Sequence, residues 1–152
     1  MTRLEIHAGE PPDPGELVFS RTWPSRLDLK AEVLAVISDE LLRRGWVHAD
    51  DEAWLTLCLD EVVVNAMLHG NEGDPRIPIQ LALHRRGDAW VLHVIDQGEG
   101  FHPEHVPDPE DPDSLLLEHG RGIRIMGEWL DRLVYYRAGA VAVLERRIAC
   151  PE

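Results

Sequence analysis

Near residue 77 the spacing of apolar residues changes from helical to alternating, and a single compact core must therefore accommodate both helices and strands. Upstream, Leu29, Val33, Val36/Ile37 and Leu41 recur at helical spacing. They predict a helix that starts at Ser25 or Asp28, runs to about Arg44 and is stopped by Gly45. A second helix is expected from Asp50–Asp51, whose acids suit the positive end of a helix dipole, through Trp54, Leu55, Leu59 and Val62 to Gly70. Downstream, the apolar residues from Ile77 to Leu83 alternate strictly, with Pro78 near the start. Arg86-Gly87-Asp88 supplies turn chemistry and Trp90 to Ile95 has strand composition, so this region predicts a hairpin.

The same reading places a first strand at Glu16 to Trp23, ending before Pro24. Two closing strands, roughly Leu133–Arg137 and Val141–Ile148, are joined across Ala138-Gly139-Ala140. Between Phe101 and Leu117 periodicity disappears, with Pro103, Pro107, Pro109 and Pro112 among many acids. Loops of that length inside a compact domain usually have a functional reason. After it, Gly120-Arg121-Gly122 opens a helix with Ile123, Met126, Leu130 and Leu133 on one face.

A chain of 152 residues buries a core without disulfide staples and has no room for a second independent domain. Residues 1–15 are expected to be a flexible leader and 16–150 the single domain. A formal charge of −13 argues against direct nucleic-acid binding, since such affinity comes largely from basic residues that displace counterions. An anionic ligand must instead be held locally, by backbone amides, a metal ion or a few arginines. Cys58 and Cys150 have no paired spacing and suggest neither zinc nor a disulfide framework. No signal-like or membrane-spanning run is legible, so a cytoplasmic location is expected.

Three groups of residues carry possible chemistry. Glu61, Asn65 and His69 lie four apart, so on an α-helix each is rotated only about 40° from the last. A carboxylate and a carboxamide there suit Mg²⁺, and a carboxylate beside a phosphoryl group suits a general base. Asp96-Gln97-Gly98-Glu99-Gly100-Phe101 follows a strand, where glycines let a flat ligand approach and an aspartate can accept from an exocyclic amine. Gly120-Arg121-Gly122-Ile123 opens a helix, where unpaired amides form an anion site. Each group alone has a plain alternative: a solvated helix face, a tight turn or calcium loop, and simple capping geometry. His102, Glu104 and His105 could hold a metal, although an exposed loop is the simpler account. His93 reads as a satisfied histidine of core or surface, Tyr135, Tyr136 and Trp129 as packing, and Arg85-Arg86 as solvated turn residues.

In order along the chain, E-x-x-x-N, D-x-G-x-G, a loop and then G-x-G resemble the N, G1 and G2 boxes of the GHKL (Bergerat) ATP-binding superfamily. Glu61-Val-Val-Val-Asn65-Ala-Met-Leu-His69-Gly70 is similar to the signature of the bacterial anti-sigma-factor serine/threonine kinases, RsbW/SpoIIAB-like proteins, as are the regions around Asp96 and Gly120–Met126. The similarity spans roughly residues 16–148.

The resemblance implies an α+β fold, a two-layer α/β sandwich with a mostly antiparallel sheet and helices on one face. It implies ATP and Mg²⁺ as cofactors, Glu61 as the catalytic base, and Asn65 as the Mg²⁺ ligand. Nucleotide contacts would come from Asn65, His69, Asp96, Gly98, Gly100, Phe101, Gly120, Arg121, Gly122 and Ile123, beneath an ATP lid at about 101–119. The implied activity is phosphorylation of a STAS-domain anti-anti-sigma protein, sequestration of a sigma factor, or both. No direct nucleic acid or membrane partner is expected; a homodimer is a further expectation, with the first strand as an available edge. The alternatives are a non-catalytic ATP-gated binding module and a detached histidine-kinase-type ATPase domain. Against the latter, no helix with a phosphoacceptor histidine precedes the boxes.

Overall fold

The computed structural model describes residues 5–98 and 128–150. Its elements are β1 (Glu5–Ile6), β2 (Glu16–Pro24), α1 (Lys30–Arg43), α2 (Glu52–Val64), β3 (Pro78–Arg86), β4 (Ala89–Ile95), β5 (Arg132–Tyr136) and β6 (Val141–Arg147). They build a six-stranded sheet in the order β1-β5-β6-β4-β3-β2. Every pairing is antiparallel except β1 with β5. Both helices pack on one face, as expected for an α+β sandwich.

Helical spacing holds for α1, where Val33, Ile37 and Leu41 are fully buried. Its start differs from expectation. A short 3-10 turn over Leu27–Leu29 leads into the helix and neither terminus has a side-chain cap. Ser25, a candidate cap, is buried and donates its hydroxyl to the carbonyl of Ile77. On α2, Leu55, Leu59 and Val62 face the core, while Trp54 stands exposed because the helix turns it to the opposite side.

The strict alternation in β3 places Ile79, Leu81 and Leu83 against the helices, joined there by Trp90, Leu92 and Val94 of β4 and Leu144 of β6. Each such side chain contributes roughly 1.5–3 kcal/mol by leaving water. The apolar run of β4 does not alternate because its other face is buried too, with Val91 beside Val134, Val141 and Val143.

The N-terminal segment covers part of that second face: within the expected leader, residues 5–15 include a strand of the sheet, while residues 1–4 lie outside the described residues. Glu5–Ile6 adds a parallel edge strand to β5, and the amides of Arg137 and Ala138 donate to Gly9 and His7 carbonyls. The His7 ring stacks on Tyr136 at 5.4 Å. Pro12 and Pro14 line a small cavity with Val91, His93 and Val143, while Arg86 donates to the Asp13 carbonyl and pairs with Glu145. Proline lacks an amide proton, so this segment covers apolar surface without presenting unpaired donors to it. Burial and backbone pairing, invisible to composition, attach it to the sheet.

Candidate functional site

At Asn65 the winding changes. Helix α2 is regular up to Val64, and Asn65–Gly70 forms a π-helical segment, with the Asn71 amide donating to the Ala66 carbonyl. Single π-turns inside α-helices recur at functional sites. Glu61 and Asn65 keep their α-helical relationship, Glu61 half-buried and Asn65 buried. The wider turn takes His69 out of α register with them, and His69 is exposed.

Asp96 enters from the end of β4. Its amide donates to the Ala140 carbonyl, which fixes the backbone against the β5–β6 hairpin. Its carboxylate is buried, with Oδ1 accepting from the Gly98 amide at 2.8 Å. Burial pushes the Asp96 carboxyl up to about 6, against which the Gly98 hydrogen bond works only in part. A buried carboxylate oxygen is a strong acceptor for a donor that reaches it.

Two glycines make this approach possible. A Cβ on Gly70 would overlap the Asp96 carboxylate, and one on Gly98 would overlap the Gly70 carbonyl. The C-terminal end of the π segment and the turn after β4 therefore touch backbone to backbone. Gly70 was legible as part of a motif; its steric reason was not.

Tyr135, expected to serve as packing, lies fully buried on the helix face of β5 beside these groups. Burial raises its phenol well above the ordinary tyrosine range; a hydrogen bond with Asn65 partly opposes this, and the charges of Glu61 and Asp96 add to the rise. The phenol thus bonds Asn65 of the π segment and feels the charges of Glu61 on α2 and of Asp96 after β4. Asn71 was likewise missed. Its buried side chain accepts from the Gln97 amide at 2.8 Å and donates to Ser25 Oγ at 2.9 Å and the Pro78 carbonyl at 3.1 Å. An Asn in a Gly-rich turn reads from sequence only as turn chemistry.

The structure thus brings together Glu61, Asn65, Asp96 and Gly98. Gly100, Phe101, Gly120, Arg121, Gly122 and Ile123, the lid at about 101–119 and the histidines at 102 and 105 lie outside the described residues. Among the described residues, no three of His, Cys, Asp and Glu converge as a metal site. A cation there would need oxygen donors such as Asn65 together with those of a bound phosphate and water, a coordination that suits Mg²⁺. No helix among the described residues is long and apolar enough to cross a membrane.

Residues 23–145 match the family model of the histidine kinase-like ATPase domain. A comparison with curated proteins finds no match. The family match covers Glu61, Asn65 and Asp96 in a sheet-and-helix framework of the GHKL type. With a buried carboxylate at a strand end and a carboxamide one helical turn from a glutamate, the chain belongs to the histidine kinase-like ATPase family, whose domains bind ATP, generally with Mg²⁺.

Proposed function

We propose that this protein is an ATP-dependent serine/threonine protein kinase of the anti-sigma-factor type, which phosphorylates a STAS-domain antagonist, sequesters a sigma factor, or both, in a partner-switching pathway. The observation that carries the reading is the buried Asp96 carboxylate, packed by the turn after β4 against Gly70, in a chain whose N box continues as His69-Gly70. Asp96 accepts from the exocyclic amine of adenine, an assignment supported by its buried carboxylate at the end of β4. Gly70 and Gly98 let the turn after β4 pack directly on the end of the π segment, which fixes that carboxylate in place.

Mg²⁺, when bound, neutralises charge on the phosphates, and Asn65 would hold it. Glu61 takes the proton from a serine or threonine hydroxyl of the protein substrate as that oxygen attacks the γ-phosphorus. The bond to the β–γ bridging oxygen breaks and ADP leaves with that electron pair. Positioning supplies most of the rate, and the base a smaller share.

The test is to incubate the protein with radiolabelled ATP, Mg²⁺ and the STAS proteins encoded beside its gene. Label on a serine or threonine supports the kinase; saturable ATP binding with no transfer favours the ATP-gated binding module. Absence of Mg-ATP binding at millimolar concentration would remove the nucleotide reading altogether. Glu61→Ala should keep nucleotide affinity and lose transfer, whereas Asn65→Ala should weaken Mg-ATP binding.

A further inference from the structure

Four separate stretches of chain meet at the side chain of Asn71, which is 2% exposed. Its Oδ1 accepts the Gln97 amide, the residue immediately after Asp96. Its Nδ2 donates to Ser25 Oγ, before α1, and to the Pro78 carbonyl, at the start of β3. Ser25 Oγ in turn donates to the Ile77 carbonyl, so the hydroxyl bridges the same junction. The Asn71 amide itself closes the π segment through the Ala66 carbonyl.

A carboxamide offers both an acceptor and donors on one planar head, and here both ends are used in the interior. Leu or Met would fill the volume but leave the Gln97 amide and the Pro78 carbonyl to find other partners. Partly buried backbone groups that lose a partner cost part of their desolvation as well as the hydrogen bond. The chain therefore places a polar residue bonded at both ends where the Asp96 turn could otherwise lift away from the end of the π segment.

We propose that Asn71 is a positioning residue for the adenine subsite, fixing the Asp96-Gln97-Gly98 turn against Gly70 so that the Asp96 carboxylate is held dry and aimed at the base. This rests on the reading of Asp96 as the adenine acceptor. Asn71 touches no ligand in this role; it acts through Gln97. Asp96 is shielded on one side by Gly70 and bonded on the other by the Gly98 amide, with Tyr135 and Glu61 as the further titratable groups of the pocket. When the turn is released, water reaches the carboxylate, which then returns toward its ordinary acidity.

Asn71→Leu, Asn71→Asp and Ser25→Ala in the full chain test this with two readouts. The first is the Asp96 carboxyl titration followed by carbon NMR without nucleotide; the second is the Kd for ATP by calorimetry at pH 7. Asn71→Leu should lower the Asp96 midpoint by roughly one pH unit and raise the Kd at least about tenfold. Asn71→Asp keeps an oxygen for the Gln97 amide but loses the donor to the Pro78 carbonyl and buries a charge, so its Kd should also rise at least about tenfold. Ser25→Ala removes only one anchor of the amide, so a Kd increase of about two- to fivefold and a smaller midpoint change are expected. Should Asn71→Leu fail to fold, the other two variants decide. An unmoved Asp96 midpoint and an unchanged Kd in Asn71→Asp or in Ser25→Ala overturn the proposal. A midpoint that moves in a protein whose wild type binds no ATP keeps the positioning role and removes the nucleotide reading instead.

Discussion

The two faces of the sheet each bury titratable groups, and burial drives them in opposite directions. On the helix face, Asp96 is pushed up to about 6 from its ordinary 3.8. On the outer face, His84 and His93 sit with ring centroids 4.8 Å apart, and burial, with the neighbouring His84, Arg137 and Arg86 charges, pushes His93 down to about 4. Both groups are driven toward neutrality, yet their surroundings differ. Asp96 packs against Gly70 and accepts from the Gly98 amide. His93 lines a small cavity with Pro12 and Pro14, and its Nε2 has no hydrogen-bond partner among the described residues. Asp96 is thus fixed by close backbone packing at the proposed site, whereas His93 is buried on the face that the N-terminal segment partly covers.

The contrast is broken most severely at the glycines. Gly98→Ala places a methyl group on the Gly70 carbonyl and Gly70→Ala places one on Asp96. Since overpacking costs about 1–3 kcal/mol, ATP affinity should fall on the order of tenfold to 100-fold, read by calorimetry. Gly87→Ala, in open space at the β3–β4 turn with φ of 62°, should strain the turn and leave affinity unchanged.

Acid titration of stability sharpens the comparison next, because the signs differ. The raised Asp96 favours the folded state below pH 3.8, and that advantage is lost as pH rises through about 6. Asp96→Asn should therefore stabilise the nucleotide-free protein at pH 7 by about 2–3 kcal/mol while it removes adenine affinity. The depressed His93 behaves oppositely: its contribution is present above pH 6.5 and lost as pH falls through about 4. His93→Leu should abolish about 2–3 kcal/mol of acid destabilisation between those values, measured by urea unfolding across the range. Equal acid sensitivity of wild type and His93→Leu would place the titrating group elsewhere.

The smallest effect is expected at the N-terminal edge. Arg137 holds Glu10 at 2.7 Å, with both side chains largely exposed. Arg137→Ala should cost less than about 1 kcal/mol in unfolding free energy. A larger loss would mean that this pair, rather than apolar coverage, holds residues 7–15 on the outer face.

Much of the site was legible because its chemistry is local in sequence. Glu61 and Asn65 lie one helical turn apart, and Asp96 is followed by glycines at a strand end, so spacing alone grouped them. His69 belonged to the same spacing, and only the π-helical winding changed its register. Ser25 shows the opposite limit: a serine before a helix reads as a cap, but a partner 52 residues away claims its hydroxyl. Tyr135 and Asn71 carried no local signal, because their partners lie on other elements.

By itself the sequence determined the helix and strand periods, the order of the boxes and the residues that hold charge. Those depend on neighbours within a turn or two of the chain, where backbone geometry sets the spacing. The tertiary structure alone decided that residues 5–15 cover the sheet, that Asp96 is dry, and that Asn71 and Tyr135 hold the site from behind. Burial is a property of distant segments packed together, and the acidity of a carboxyl or the use of a carboxamide follows from that packing.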